Sequence, residues 1–176
     1  MTAFLLHKSV NNISSNTMLA PHFRLAEFMP PLTLPSELEV EILNNLQQLA
    51  LWLEALRSLI SVQESGTIRI VRSMPEGASG LTTERWNFRQ AVLRKPTSMH
   101  FLGLAFDLKV VVTSVNRAST NFFMSSRDVA GYAAMLEGFK QGGIGTYSWG
   151  NHLDLRWMVG KPPARWDEID FERRGE

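Results

Sequence analysis

Apolar residues recur at alternating steps of four and three between residues 36 and 60, which is the period of one face of an α-helix. Ser36 and Glu39 have the spacing of a capping box, so the helix is predicted to begin there. The stripe predicts the main core helix. The alternative is a coiled-coil seam, but the stripe covers fewer than three heptads, which is short for a coiled coil. The stripe comprises Ile42, Leu46, Leu49, Leu53, Leu56 and Ile60.

Shorter patterns predict the rest of an α+β domain: a small antiparallel sheet packed against two main helices. Alternating and β-branched runs predict strands at 67–71, 104–112, 144–147 and 151–156, and a helical period predicts the second helix at 125–140. Residues 1–20 are rich in Asn, Ser and Thr and are expected to form a flexible N-terminal arm. The single domain is expected to span 21–176, opening with a helical turn anchored by Phe23 and Phe28.

The composition excludes several classes of protein. The 176 residues include no cysteine, so a metal site must use histidine and carboxylate ligands, and the chain has four histidines. A net charge of +1 gives no basic field for nucleic acid, so no nucleic-acid partner is expected. No apolar run approaches the ~18–20 residues of a membrane span, and none predicts a signal peptide. We therefore expect no integral membrane segment, and a protein that is cytoplasmic until it is released or carried in a virion.

Two segments carry the residues suited to chemistry. In 104–112, strand alternation places Asp107 on one face and Leu104, Phe106 and Leu108 on the other. A half-buried aspartate needs a partner, which a metal ion shared with His100, or an arginine such as Arg72 or Arg89, can supply. In 151–156, His152, Asp154 and Arg156 share one face. That face is either a preorganised site or an exposed polar surface.

The run Ser98-x-His100-x-x-Gly103-x-Ala105-x-Asp107 resembles the S-x-H-x-x-G-x-A-x-D motif of the D-Ala-D-Ala carboxypeptidase and murein endopeptidase family, which shares the hedgehog/DD-peptidase fold. His152-Leu153-Asp154 resembles the family's later H-x-D motif. Collinear segments also resemble phage and prophage members: His22-Phe23-x-Leu25-x-Glu27-Phe28, Gly143-Ile144-Gly145-x-Tyr147 and Ala164-Arg165-Trp166.

The resemblance implies a zinc ion held by His100, Asp107 and His152, and a peptidase that hydrolyses peptidoglycan in the cell wall, such as a phage or prophage lysin. Asp154 is then the best candidate for the general base; the alternative is that it orients His152 or pairs with Arg156. The candidate substrate-binding residues are Ser98, Arg72, Trp149 and Arg156.

Two departures from the family pattern bear on activity. Glu76 stands where the family's S-G-x-R segment carries an arginine that contacts substrate, and Trp149 stands where several branches carry an acidic base. The changed S-G-x-R segment motivates an alternative: a non-catalytic zinc-binding structural or cell-wall-binding module, such as a virion component. It also predicts that an active enzyme prefers internal peptide bonds to a free D-Ala-D-Ala terminus, because Glu76 would repel the terminal carboxylate.

Overall fold

The computed structural model describes residues 13–28, 40–72, 98–100, 102–114 and 121–169. Within these ranges lie eight strands, four helices and one 3-10 helix. The strands are β1 Met18–Ala20, β2 Phe23–Arg24, β3 Gly66–Arg72, β4 Ala105–Ser114, β5 Asn121–Phe123, β6 Gly143–Tyr147, β7 Gly150–Asp154 and β8 Ala164–Asp167. The helices are α1 Leu25–Phe28, α2 Val40–Glu64, α3 Ser126–Met135 and α4 Glu137–Lys140, and the 3-10 helix spans Arg156–Val159.

The predicted α+β class is confirmed, but the predicted sheet was too small and too regular. The main sheet has six strands in the order β3-β4-β7-β6-β8, with β5 also paired to β4. All of its pairs are antiparallel except β6–β8, which is parallel. The parallel pair arises because the chain leaves β7 through the 3-10 helix and returns along the far edge of β6.

The two faces of the sheet differ in chemistry because strand residues alternate between them. One face packs against the helices and supplies buried apolar side chains from β3, β4, β6 and β7: Ile68, Ile70, Phe106, Leu108, Val110, Val112, Ile144 and Leu153. The opposite face carries Asp107 and His152, which lie directly across the β4–β7 ladder. The sheet thus separates the hydrophobic core from the candidate site.

The long helix α2 is the core helix that the apolar stripe predicts. Leu46, Leu49, Leu53, Leu56 and Ile60 are fully buried, and Ile42 is half-buried. These side chains join the same core cluster as the buried residues of β3 and β4, which excludes the coiled-coil alternative. The predicted capping box at Ser36 and Glu39 lies outside the described residues.

Several predicted boundaries were wrong, each for a local reason. The helix predicted at 125–140 is two helices, because the backbone is extended at Leu136. The strand predicted at 151–156 ends at Asp154, because the backbone leaves the extended conformation at Leu155 (φ −107°, ψ 44°) and a 3-10 helix begins at Arg156. Residues 18–20, assigned to the flexible arm, form β1, and Leu19 and Ala20 are buried in the core. Residues 1–12 of that arm lie outside the described residues.

The helical turn predicted at 22–28 is present only from Leu25 to Phe28 as α1, while Phe23 lies in β2; both predicted aromatic anchors are buried. Phe28 packs against Phe106 of the central strand, with ring centroids 4.9 Å apart. None of the helices in the described ranges combines the length and the apolar character that crossing a membrane requires.

Gly103 provides the first test of the fold. Its φ is 70°, and an added Cβ would lie 3.1 Å from both the Ile42 carbonyl oxygen and Leu46 Cγ of α2. We expect Gly103→Ala to lower the free energy of unfolding by ~1–2 kcal/mol, because non-glycine residues are strained in this conformation. The control Gly131→Ala, in α3 with no atom within 4 Å of the added Cβ, should raise it by up to ~1 kcal/mol. Urea unfolding measures both; wild-type stability in Gly103→Ala would contradict the assignment.

Candidate metal centre

A tight turn before β4 positions His100. The backbone N–H of Gly103 donates to the His100 carbonyl (3.1 Å), and that of Leu104 donates to the Met99 carbonyl (2.9 Å). The buried Asn45 of α2 donates its side-chain N–H to the Leu102 carbonyl at 2.9 Å. The turn is therefore fastened to the core helix, and the left-handed backbone at Gly103 allows it to lie that close.

The β4–β7 ladder positions the other two side chains. Asp107 and His152 are direct partners in the antiparallel register, so they emerge side by side on the same face. The Nδ1 atom of His152 lies 2.8 Å from Oδ1 of Asp107. The relative solvent accessibilities of the His100, Asp107 and His152 side chains are 11%, 10% and 13%. The site is therefore mostly shielded yet reachable from solvent.

Three ligand atoms form a triangle: His100 Nε2, Asp107 Oδ1 and His152 Nδ1. Its edges are 2.8 Å (His152–Asp107), 3.2 Å (His100–His152) and 3.3 Å (His100–Asp107). Two ligand atoms that each lie ~2.0–2.1 Å from a tetrahedral zinc ion are separated by about 3.3 Å. These three residues can therefore hold a metal ion, and the predicted ligand set is brought together as a group.

The electrostatics of the triangle suit a cation. Burial opposes the ionisation of Asp107, but the charges and hydrogen bonds of His100 and His152 outweigh it and hold the pKa of Asp107 far below its usual range. Burial also opposes charging of His152, yet hydrogen bonds to Asp107 and Asp154 raise its pKa to about 9. The carboxylates that raise this pKa would also attract a cation, which must displace the proton because histidine binds a metal as the neutral imidazole.

Asp154 lies on the other side of the His152 ring from the ligand triangle. Its Oδ2 is 3.1 Å from His152 Nε2, and its Oδ1 accepts from the Gly143 N–H at 2.9 Å. Arg156 donates to the same carboxylate, with Nη2 to Oδ2 at 2.7 Å. Burial would raise the pKa of Asp154, but the bonds to His152 and Arg156 hold it well below its usual range.

This placement does not fit the predicted general base. Asp154 is fully buried and both of its oxygens are engaged, so it has no open path to a water beside Asp107. It fits the alternative, in which a carboxylate fixes the ring and tautomer of a metal-binding histidine from behind. We therefore treat Asp154 as a positioning residue, and Arg156 as the residue that neutralises it rather than as a substrate contact.

Three aromatic side chains, Trp166, Tyr147 and Trp149, form an aromatic wall beside His152. The Trp166 ring of β8 lies 5.3 Å from the His152 ring and donates its indole N–H to the Tyr147 hydroxyl at 2.6 Å. Tyr147 in turn stacks on Trp149, with centroids 4.6 Å apart. Gly145 is required here, because an added Cβ would clash with the Trp166 ring. Trp149 is thus half-buried beside the site, on the wall rather than in the core.

The remaining predicted substrate contacts are placed less closely. Ser98 is half-buried and its carbonyl accepts from the Leu102 N–H, so it belongs to the turn that carries His100. Arg72 ends β3 and pairs with Leu108, one residue from Asp107. Arg89, Glu76 and the Trp86-Asn87 pair lie outside the described residues.

Sequence reasoning missed two residues that shape the centre. Asn45 interrupts the apolar helix face, and a polar residue at a buried position was the available signal. Trp166 enters only through the Ala164-Arg165-Trp166 resemblance, and the sequence pattern predicts no strand at 164–167, the strand that brings Trp166 to His152. Comparisons of the chain with protein-family models, curated proteins and solved structures gave no match.

The ligand assignment predicts a stoichiometry. We expect one metal ion per chain in the wild type, and a large loss of metal affinity in His100→Ala, Asp107→Ala and His152→Ala. His22→Ala is the matched control, because His22 lies on the surface and pairs with Glu54. Elemental analysis after zinc reconstitution measures the first quantity. Zinc should also raise the melting temperature of the wild type and of His22→Ala, since a ligand bound to the native state stabilises it. A ligand variant that still binds one zinc would contradict the assignment.

The role of Asp154 gives a separate prediction. We expect Asp154→Asn to weaken zinc binding about 10–100-fold, because the partner that fixes the His152 ring loses its charge. Asp167→Asn is the control, since Asp167 also pairs with an arginine, Arg127, but is partly exposed. Competition with a chromophoric chelator gives both affinities, and melting without zinc separates any general loss of stability. Unchanged zinc affinity together with lost activity would instead restore Asp154 as the general base.

Proposed function

We propose that this protein is a zinc-dependent peptidase that hydrolyses amide bonds in peptidoglycan stem peptides or their crosslinks, as in a phage or prophage lysin. The observation that carries the proposal is the triangle of His100 Nε2, Asp107 Oδ1 and His152 Nδ1, with edges of 2.8–3.3 Å. Two histidines and one aspartate leave a fourth position open, as in catalytic rather than structural zinc sites. Zinc held in this way supplies a Lewis acid and an activated water for amide hydrolysis.

The residues around the triangle support a site that is rigid. Asp107 holds the facing nitrogens of both histidines, and Asp154 holds His152 from behind. Arg156 neutralises Asp154, and its guanidinium lies 5.4 Å from the centre of the Trp166 ring. Preorganised ligands of this kind keep the metal and substrate in place without reorganisation during the reaction.

The substrate class rests on the resemblance and on the shape of the wall. The motif around His100 and Asp107 resembles that of peptidoglycan peptidases, and the exposed edges of Trp149 and Tyr147 offer apolar surface to an extended peptide. The proposal keeps the preference for internal bonds over a free D-Ala-D-Ala terminus that Glu76 suggests.

A second function is favoured by one observation. Within the described ranges, the ligand cluster contains no carboxylate besides Asp107, and the nearby Asp154 is buried behind His152. A centre without a general base would bind zinc and cell wall without turnover, which describes a non-catalytic structural or cell-wall-binding module.

One experiment separates the two functions. Zinc-loaded protein is incubated with crosslinked muropeptide dimers and with free pentapeptides, and products are followed by mass spectrometry. We expect cleavage of the dimers, slower release of terminal D-Ala, and loss of both activities in His152→Ala but not in His22→Ala. Faster release of terminal D-Ala would contradict the preference. No cleavage of either substrate around neutral pH would favour the non-catalytic module.

A further inference from the structure

Beside the metal centre, the same face of the sheet carries a lysine held in place by an aromatic ring. Lys109 follows Asp107 by two residues in β4, so the two side chains share a face and their Cα atoms lie about 7 Å apart. The Lys109 ammonium lies 5.2 Å from the centre of the Phe123 ring in β5. We infer that Lys109 is a specificity-determining residue, which binds a carboxylate of an acidic peptide whose scissile amide lies at the metal centre.

Lys109 is partly exposed and lies where β4 changes its strand partner. One edge of β4 pairs with β3 from Leu108 to Ser114, while the other edge pairs first with β7 and then with β5. Lys109 lies at the interval between these two pairings, after Leu108↔Asn151 and before Val111↔Phe123. A peptide that extends from His152 towards β5 along this edge of β4 would run beside the Lys109 side chain.

The charges on this part of the face favour an anion. Strand alternation places Lys109 and Arg69 on the face of the metal centre, and Asp107 is already engaged by the two histidines. Among the residues that the structure describes, no carboxylate forms an ion pair with Lys109. An ammonium that meets a substrate carboxylate in a partly shielded site makes a charge-assisted hydrogen bond, which is about twice as strong as a neutral one.

Phe123 gives the lysine a defined position. Its ring is 64% exposed, which is unusual for a large apolar side chain in a paired strand. A cation over the face of an aromatic ring is attracted to it, so the contact restricts the positions that the Lys109 ammonium adopts. Phe122, its neighbour on the opposite face, is also exposed and makes no such contact in the described structure, so it serves as a matched control.

This inference rests on the proposed peptidase function, and its test distinguishes the two. Synthetic stem peptides are prepared in four forms, with the internal carboxylate free or amidated and the terminal carboxylate free or amidated. Binding to zinc-loaded protein is measured by stopped-flow tryptophan fluorescence before turnover, and kcat/KM is measured for the same peptides. The variants are Lys109→Gln, Lys109→Arg and Phe123→Ala, with Lys140→Gln on α4 and Phe122→Ala as controls; zinc content confirms that each site is intact.

We expect Lys109→Gln to weaken binding of the peptide with a free internal carboxylate about tenfold. Its affinity for the peptide with the internal carboxylate amidated should stay within about twofold of the wild-type value. Lys109→Arg should keep most of the preference for the free internal carboxylate, Phe123→Ala should lose part of it, and both controls should keep it all.

Equal weakening of binding to all four peptides, or an unchanged preference in Lys109→Gln, would overturn the inference while leaving the peptidase function intact. A preference that depends on Lys109 without any cleavage would support the inference and overturn the peptidase. A preference for the terminal carboxylate alone, or wild-type protein that binds none of the peptides, would overturn the inference.

Discussion

The register of β4 against β7 is the constraint on which the candidate centre depends. It makes Asp107 the direct partner of His152, and it sends Phe106, Leu108 and Leu153 to the opposite face as core. Because strand side chains alternate, a slip of one residue would bury the carboxylate and expose the apolar set. The register that buries the core side chains is therefore also the register that brings Asp107 beside His152.

Several buried charged groups surround this strand pair, and each would destabilise the fold if its partner were removed. Asp107 and Asp154 approach His152 from its two ring nitrogens, and Arg156 balances the second carboxylate. Each of these groups is buried or nearly so, and an unpaired buried charge strongly destabilises a fold. The network fixes the orientation of His152, and that orientation directs Nδ1 towards His100 and Asp107 and Nε2 towards Asp154.

The sequence predicts the parts of this structure whose patterns are local. The predictions of α2, β3 and β4 are confirmed because the apolar residues that set their sequence periods face one continuous core. The resemblance places His100, Asp107 and His152 together, but spacing cannot reveal that Asp154 lies behind the histidine rather than beside the three candidate ligands. That outcome depends on the end of β7 at Asp154, after which the backbone leaves the extended conformation at Leu155 and a 3-10 helix begins. The alternation of Leu153, Leu155 and Trp157 continues past that point, so the pattern alone predicts too long a strand.

A zinc-edge anomalous difference map of a crystal of the zinc-loaded protein tests the central claim most directly, since it locates the metal and identifies its ligand atoms. The account predicts one peak per chain, bonded to His100 Nε2, Asp107 Oδ1 and His152 Nδ1 at ~2.0–2.1 Å. It also predicts His152 Nε2 hydrogen-bonded to Asp154 and no zinc contact from that carboxylate. No peak at this position, or a peak coordinated by Asp154, would contradict it.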